Sequence, residues 1–187
     1  GRKMNAESLK NAMQCISALM AKQKDYLVEL DAQNGDGDLG ISMNNGYTAV
    51  ADYLKSAEET DLGRLLMKCS GVFNEAAPSS LGTIISLGMM GMAKALRGKT
   101  EAGLEEVADA MSAGLSTIME KAKSKPGEKT ILDALHPAVE TLREKAALDD
   151  PKTAYEAAAK AAAAGSESTR EMRSVHGRAA YYGDKSI

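Results

Sequence analysis

Three carboxylates fall within eight residues in Asp31-Ala-Gln-Asn-Gly-Asp36-Gly-Asp38-Leu-Gly40, separated by glycines and small polar groups. A glycine-rich segment folds tightly and can aim side chains and backbone N–H groups at one point. Acids brought together in this way repel and raise one another's pKa unless a cation sits among them. Mg²⁺ and Ca²⁺ take oxygen ligands, so Asp31, Asp36 and Asp38 are candidate ligands of a hard divalent cation. The same composition also suits an Asx- and Gly-rich turn that simply joins two helices. Gly35-Asp-Gly37-Asp-Leu-Gly40 spells the G-x-G-x-x-G of dinucleotide sites, but that motif follows a strand and keeps carboxylates off the pyrophosphate. Here Asp36 and Asp38 interrupt the glycines, and Leu9 to Met20 upstream has a helical period, which excludes it. An EF-hand loop would need Glu where Tyr47 stands, counting from Asp36, or where Ser42 stands, counting from Asp31.

The elements that must position this loop are helices. Asn5 is a cap for a first helix reaching about Lys24, with Leu9, Ala12, Met13, Ile16, Leu19 and Met20 on one face. After Gly40, the spacing of Met43, Tyr47, Val50, Ala51 and Leu54 predicts a second helix. Its free N–H groups would face the same space as the metal. A third begins near Asp61 and carries Leu62, Leu65, Leu66, Cys69, Val72, Phe73 and Ala76 until Pro78 stops it. Ser79-Ser80-Leu81-Gly82-Thr83 then opens a fourth, with Ile84, Ile85, Leu87, Met89, Met92, Ala95 and Leu96. Small hydroxyl residues and a glycine at a helix start suit an anion, and they are equally ordinary N-caps. Ser86, Gly88 and Gly91 narrow this helix and allow a close neighbour. Thr100 is the expected cap of a fifth helix (Leu104, Val107, Met111, Leu115, Ile118, Met119), and Thr130 that of a sixth (Leu132, Leu135, Val139, Leu142). Asp150-Pro151 pairs a cap with a first-turn proline for a seventh helix running to about Met172, with Gly165 as its weak point. The segment from Ser174 to Ile187 lacks an amphipathic period and reads as loop. Within it Gly177-Arg178 is a candidate phosphate or ribose contact, although an arginine alone reads as surface. No strand period and no fixed-period repeat is present. The chain is therefore expected to be an all-α antiparallel bundle or closed helical barrel in a single domain over 1–187.

Composition narrows the function classes. A formal charge of −3 gives neither a nucleic-acid footprint nor a polybasic membrane face. Eleven methionines with one Phe and no Trp imply a core of adaptable aliphatic packing. Cys15 and Cys69 fall on apolar helix faces, as buried free thiols in a reducing cytoplasm would. No apolar run approaches the ~20 residues that span a bilayer, and no signal-peptide core is visible. The expectation is a cytoplasmic protein that binds neither nucleic acid nor membrane.

Taken together, four motifs resemble the L subunit, or DAK2 nucleotide-binding domain, of dihydroxyacetone kinases. They are Leu30-Asp31 with Gly35–Gly40 and Met43-Asn-Asn-Gly46; Ala77-Pro78-Ser79-Ser80-Leu81-Gly82-Thr83; Lys125-Pro-Gly-Glu-Lys-Thr130 with Asp133 and His136-Pro137; and Gly177-Arg178-Ala-Ala-Tyr181 with Gly183-Asp-Lys-Ser186. The resemblance runs from about Ser8 to Ile187. It implies an eight-helix antiparallel barrel, about seven helices of which are readable, the last lying beyond Ile187. It further implies that Asp31, Asp36 and Asp38 hold two Mg²⁺ ions bridging to the phosphates of ADP or ATP. By the same carry-over, Gly40, Ile41 and Ser42 line the nucleotide. Ser79 and Ser80, with Gly82 and Thr83, meet the phosphates, Ala122 and Ile131 flank the base, and Arg178 reaches in from the far loop. The implied activity is phosphoryl transfer to a small ketose held by a separate K subunit. The donor is either ATP or a phosphotransferase-system M subunit, and a homodimer is possible. Many relatives have His where Leu39 stands, Asn or Thr at Ser42 and Gly at Ala122, so the donor or substrate can differ from the best-known members. Two other readings stay open: a regulatory module with a vestigial nucleotide site, and a nucleotide domain like that of fatty-acid kinases.

Overall fold

Helix starts in this chain are set by short polar side chains that take orphan backbone N–H groups. The Asn5 Oδ1 accepts from the Ser8 N–H at 2.9 Å, Asp61 from Arg64 at 2.9 Å, Ser79 from Gly82 at 3.0 Å and Asp150 from Thr153 at 2.9 Å, all expected cap positions. The computed structural model describes residues 3–14, 17–18, 39–122, 132–147 and 150–168. Among them lie seven helices: α1 (residues 6–14, helical again at 17–18), α2 (Leu39–Ser56), α3 (Leu62–Ala76), α4 (Ser80–Ala95), α5 (Leu104–Ala122), α6 (Leu132–Ala146) and α7 (Pro151–Ser168). The fold is all-α.

Each helix from α2 to α7 packs on the next, and α2 also touches α4. Short connections make such neighbours antiparallel, and the contacts agree. Gly46 early in α2 lies against the ring of Phe73 late in α3, and Gly63 at the start of α3 lies against Ala93 and Arg97 at the end of α4. The α4–α5 crossing is also close in backbone terms. A Cβ at Gly91 would stand 2.5 Å from Thr117 Oγ1 and 2.7 Å from the Ala113 carbonyl oxygen, and one at Gly114 would stand 2.6 Å from the Gly88 carbonyl oxygen. The narrow face expected from Gly88 and Gly91 is therefore the face α5 packs on.

The apolar stripes of α2 and α3 are buried where the period places them, with Val50, Leu54, Leu62, Leu65, Cys69 and Phe73 all fully inside. Phe73 meets Tyr47 edge to face, with ring centroids 5.0 Å apart at 79°, a geometry worth ~0.5–1.5 kcal/mol beyond area burial. A second cluster joins α5, α6 and α7 through Ala108, Leu142, Ala154 and Ala158, and a third joins α5 and α6 through Leu115, Ile118, Leu132 and Val139, with Ile84 and Leu87 of α4 packed against it. Met111 packs against all three clusters.

Four details differ from the sequence reading. A two-residue strand pair exists: β1 (Met4–Asn5) runs antiparallel to β2 (Glu101–Ala102), pairing Met4 with Ala102. It is too short to carry a period. Thr100 does not cap α5, because β2 occupies the next residues; the helix starts instead from Gly103, whose carbonyl accepts from Val107 at 3.0 Å. Ala12 and Ala95 face solvent rather than the core. Gly165 leaves α7 unbroken. The expected stretches from Leu19 to Asp38, from Lys123 to Ile131 and beyond Ser168 lie outside the described residues. No described helix is long and apolar enough to cross a membrane.

Candidate functional site

Alternating helix direction sends the starts of α2, α4 and α6 to one end of the bundle, together with the ends of α3 and α5. That topology gathers Gly40, Ile41 and Ser42 at the start of α2, Ser79, Ser80, Gly82 and Thr83 at the start of α4, and Ala122 at the end of α5. Asp31, Asp36, Asp38, Ile131 and Arg178 lie outside the described residues. The chain reaches α2 directly from the acidic segment, however, so Asp38 is the residue next to its first turn.

The α4 start is a tight cap. The Ser79 N–H donates to the Ala77 carbonyl at 2.8 Å, and the Ser79 carbonyl accepts from the Thr83 N–H at 2.9 Å and from the Thr83 hydroxyl at 3.0 Å. A side chain at Gly82 would collide with the Ala77 carbonyl oxygen, so only glycine lets the chain fold back this closely. The capping role of Ser79 is thus shown. It does not compete with an anion role, because a hydroxyl that accepts one N–H still has its own proton to donate.

The electrostatics of this end suit a phosphate. Neither α2 nor α4 has an acidic residue in its first turn; Asp38 immediately precedes α2, whereas the residues just before α4, Ala77-Pro78-Ser79, carry no acid to cancel its partial positive charge. From Leu39 to Gly46, and from Ser79 to Gly91, there is no Lys or Arg either. Within these two helix starts charge neutralisation therefore rests on the helix termini and on whatever the acidic loop holds, and Lys121 in the last turn of α5 is a cation at the same end. Three carboxylates form a hard oxygen donor set that fits Mg²⁺, which binds through a few carboxylates and leaves the remaining positions to phosphate and water. Among the described residues alone, no group of three metal-ligating side chains exists.

Ile41 is 44% exposed, unusual for a large aliphatic side chain in this molecule, and Ser42 beside it is buried. A solvent-facing Ile at a helix start gives a flat ligand an apolar surface. One polar atom escaped the sequence reading: Asn44 Oδ1, a turn into α2, is buried and accepts no hydrogen bond. An orphaned amide oxygen costs roughly 1–3 kcal/mol. Its sequence signals were its place in Met43-Asn-Asn-Gly46 and beside the inward position Met43. Asp133 in the first turn of α6 is also buried, whereas His136 sits half-buried with its Nε2 3.3 Å from Glu140. That contact places His136 on the helix surface beside Glu140.

Comparison with known proteins gives the arrangement a context. The ADP-binding subunit DhaL of the PEP-dependent dihydroxyacetone kinase of Escherichia coli is 29% identical over 170 residues, covering 90% of this chain and 81% of the relative. A Listeria innocua ADP-binding subunit of the same description is 29% identical over 98% of this chain and 86% of its own length. Human triokinase/FMN cyclase is 32% identical over 84% of this chain but only 28% of its own length. In structure, the dihydroxyacetone kinase of C. freundii, crystallised with AMP-PNP and Mg²⁺, matches 99% of this chain with a TM-score of 0.73 at 23% identity. This chain spans 32% of that kinase, and the match is one of fold. The sequence profile of the DAK2 domain fits residues 33–187, most of the chain, which therefore belongs to the DAK2 domain family.

Proposed function

We propose that this chain is the nucleotide-binding subunit of a dihydroxyacetone-type kinase, a phosphotransferase component that holds ADP or ATP with Mg²⁺ at the α2–α4–α6 end. The observation that carries the reading is the convergence of two helix starts with no acid in their first turns, one of them reached in sequence directly from the three aspartates. The family match and the ADP-binding subunits among the relatives support it. Bound Mg²⁺ supplies neutralisation of phosphate charge, and no protein nucleophile is needed for transfer. Asp31, Asp36 and Asp38 hold the metal. The Ser79 hydroxyl and the first N–H groups of α4 orient phosphate oxygens. Ile41 shields one face of the nucleotide, Ala122 and Ile131 flank its base, and Arg178 adds a cation from the C-terminal loop. The acceptor is a small ketose held by a separate K-type subunit. The donor is a phosphotransferase-type M subunit recharging resident ADP, in keeping with the PEP-dependent relatives.

The test is calorimetric titration of ADP into the protein with Mg²⁺, with EDTA, and with Asp36→Asn. The expected result is micromolar or tighter binding that disappears with EDTA and weakens at least tenfold in the variant. Folded protein that ignores ADP under all three conditions would leave a vestigial helical module instead.

A further inference from the structure

The outer groove between α3 and α4 runs away from the nucleotide site proposed above and shares only Thr83 with it. At one end, Arg64 and Lys68 of α3 face Lys94 and Arg97 at the end of α4 across a hollow of about 260 Å³. Gly63 brings the two backbones together there, since a Cβ on it would strike the Cα of Arg97. No carboxylate lines this hollow. Among the described residues Lys68, Lys94 and Arg97 form no ion pair, and Arg64 only reaches Glu59 at 4.0 Å. The chain as a whole is formally −3, so this concentration of positive charge is local. Met67, 37% exposed, forms the floor and continues into a second hollow of about 230 Å³. That half is lined by Gly71, Asn74, Thr83, Leu87 and Met90 among others and contains no charged residue. The groove is thus cationic at one end and uncharged, methionine-lined at the other.

We propose that the α3–α4 groove is a docking site for an acidic amphipathic segment of a partner protein. Its carboxylates would face Arg64, Lys68, Lys94 and Arg97, and its apolar side chains would lie over Met67, Leu87 and Met90. Charge complementarity steers and orients such a segment, and methionines re-pack to fit an irregular apolar face. A small phosphate ligand would use only the cationic half, and a concave groove does not present its cations to a flat bilayer. From Thr83 to Arg97 the groove follows α4 for ~21 Å, enough for about 14 residues of helix.

The test uses the whole chain and a fluorescein-labelled helical peptide of about that length, with glutamates in one half and leucines in the other. In methyl-labelled methionine spectra the peptide should shift Met67 and Met90 and leave Met43, buried on α2, unmoved. Binding should weaken at least tenfold in Lys68→Glu/Lys94→Glu and weaken again with added salt, while Mg²⁺-dependent ADP binding stays unchanged. Both substituted lysines are exposed, and the methionine shifts of the native chain stand independently of the variant. Unmoved Met67 and Met90, equal affinity in the double variant, or equal shifts from inorganic pyrophosphate or phosphatidylserine vesicles would overturn the assignment.

Discussion

At the scale of single residues, Ser79 carries the most testable chemistry, because one hydroxyl both caps α4 and faces the proposed phosphate position. Ser79→Ala should lower stability by about 1 kcal/mol, the usual worth of a cap, and also weaken ADP binding. Denaturant unfolding and calorimetry on one preparation separate the two effects. A stability loss without any change in ADP affinity would confine Ser79 to capping. Cys69 is the opposite case, a nucleophile made inert. Burial pushes its thiol from 9.0 up to about 12, and it is fully buried on α3. The thiolate is the reactive form, so peptide mapping after iodoacetamide at pH 8 should find Cys69 unmodified in folded protein and modified in denaturant. The sign of the linkage follows. Above pH 9 the unfolded chain loses this proton first, so the contribution of Cys69 to stability declines as pH rises from 9 toward 12.

At the scale of elements, α3 shows how much the sequence states openly. Its cap Asp61, its stripe from Leu62 to Phe73 and its end before Pro78 are all legible as spacing and chemistry. The start of α5 was misread for a physical reason. Thr100 is as good an intrinsic cap as glycine, but pairing of Glu101 and Ala102 with the N-terminal strand commits those residues to extended backbone. Gly103 takes over, and the Glu106 carboxylate turns back to accept its N–H at 3.4 Å, completing one half of a capping box. Lys99 donates to the other Glu106 oxygen at 2.6 Å. That hydrogen bond, aided by the one from Gly103, holds the Glu106 carboxyl below its usual range. The interaction is present above the ordinary glutamate pKa and is lost as pH falls through the lowered one. Glu106→Gln should accordingly lower the thermal midpoint slightly at pH 7 and by less at pH 3, as read by circular dichroism. An equal shift at both pH values would exclude the charge as its origin. The site was legible in the same partial way. Motif chemistry pointed to the start of α2 and of α4, whereas nothing in the spacing of apolar residues could reveal that Asn44 buries an unpaired oxygen.

At the scale of the whole molecule, the clusters are stitched in sequence order, helix against next helix, with Met111 touching every one of them. Most helix contacts therefore join sequence neighbours, and the strand pair, like the weaker α2–α4 contact, departs from that order. Its flanking ion pair joins Lys3 to Glu101, 98 positions apart. Closing a loop of that length costs ~4 kcal/mol in chain entropy, more than a two-residue ladder with an exposed ion pair can return. The ladder must then wait until α1 through α4 have packed and brought its ends together at no further cost. It acts as a latch that registers completion of the bundle and not as a nucleus for it. In pulse-labelled refolding, the amides of Met4–Asn5 and Glu101–Ala102 should gain protection after those of α3. Protection that arrives together with α3 would mean that the N-terminus is captured before the helices assemble.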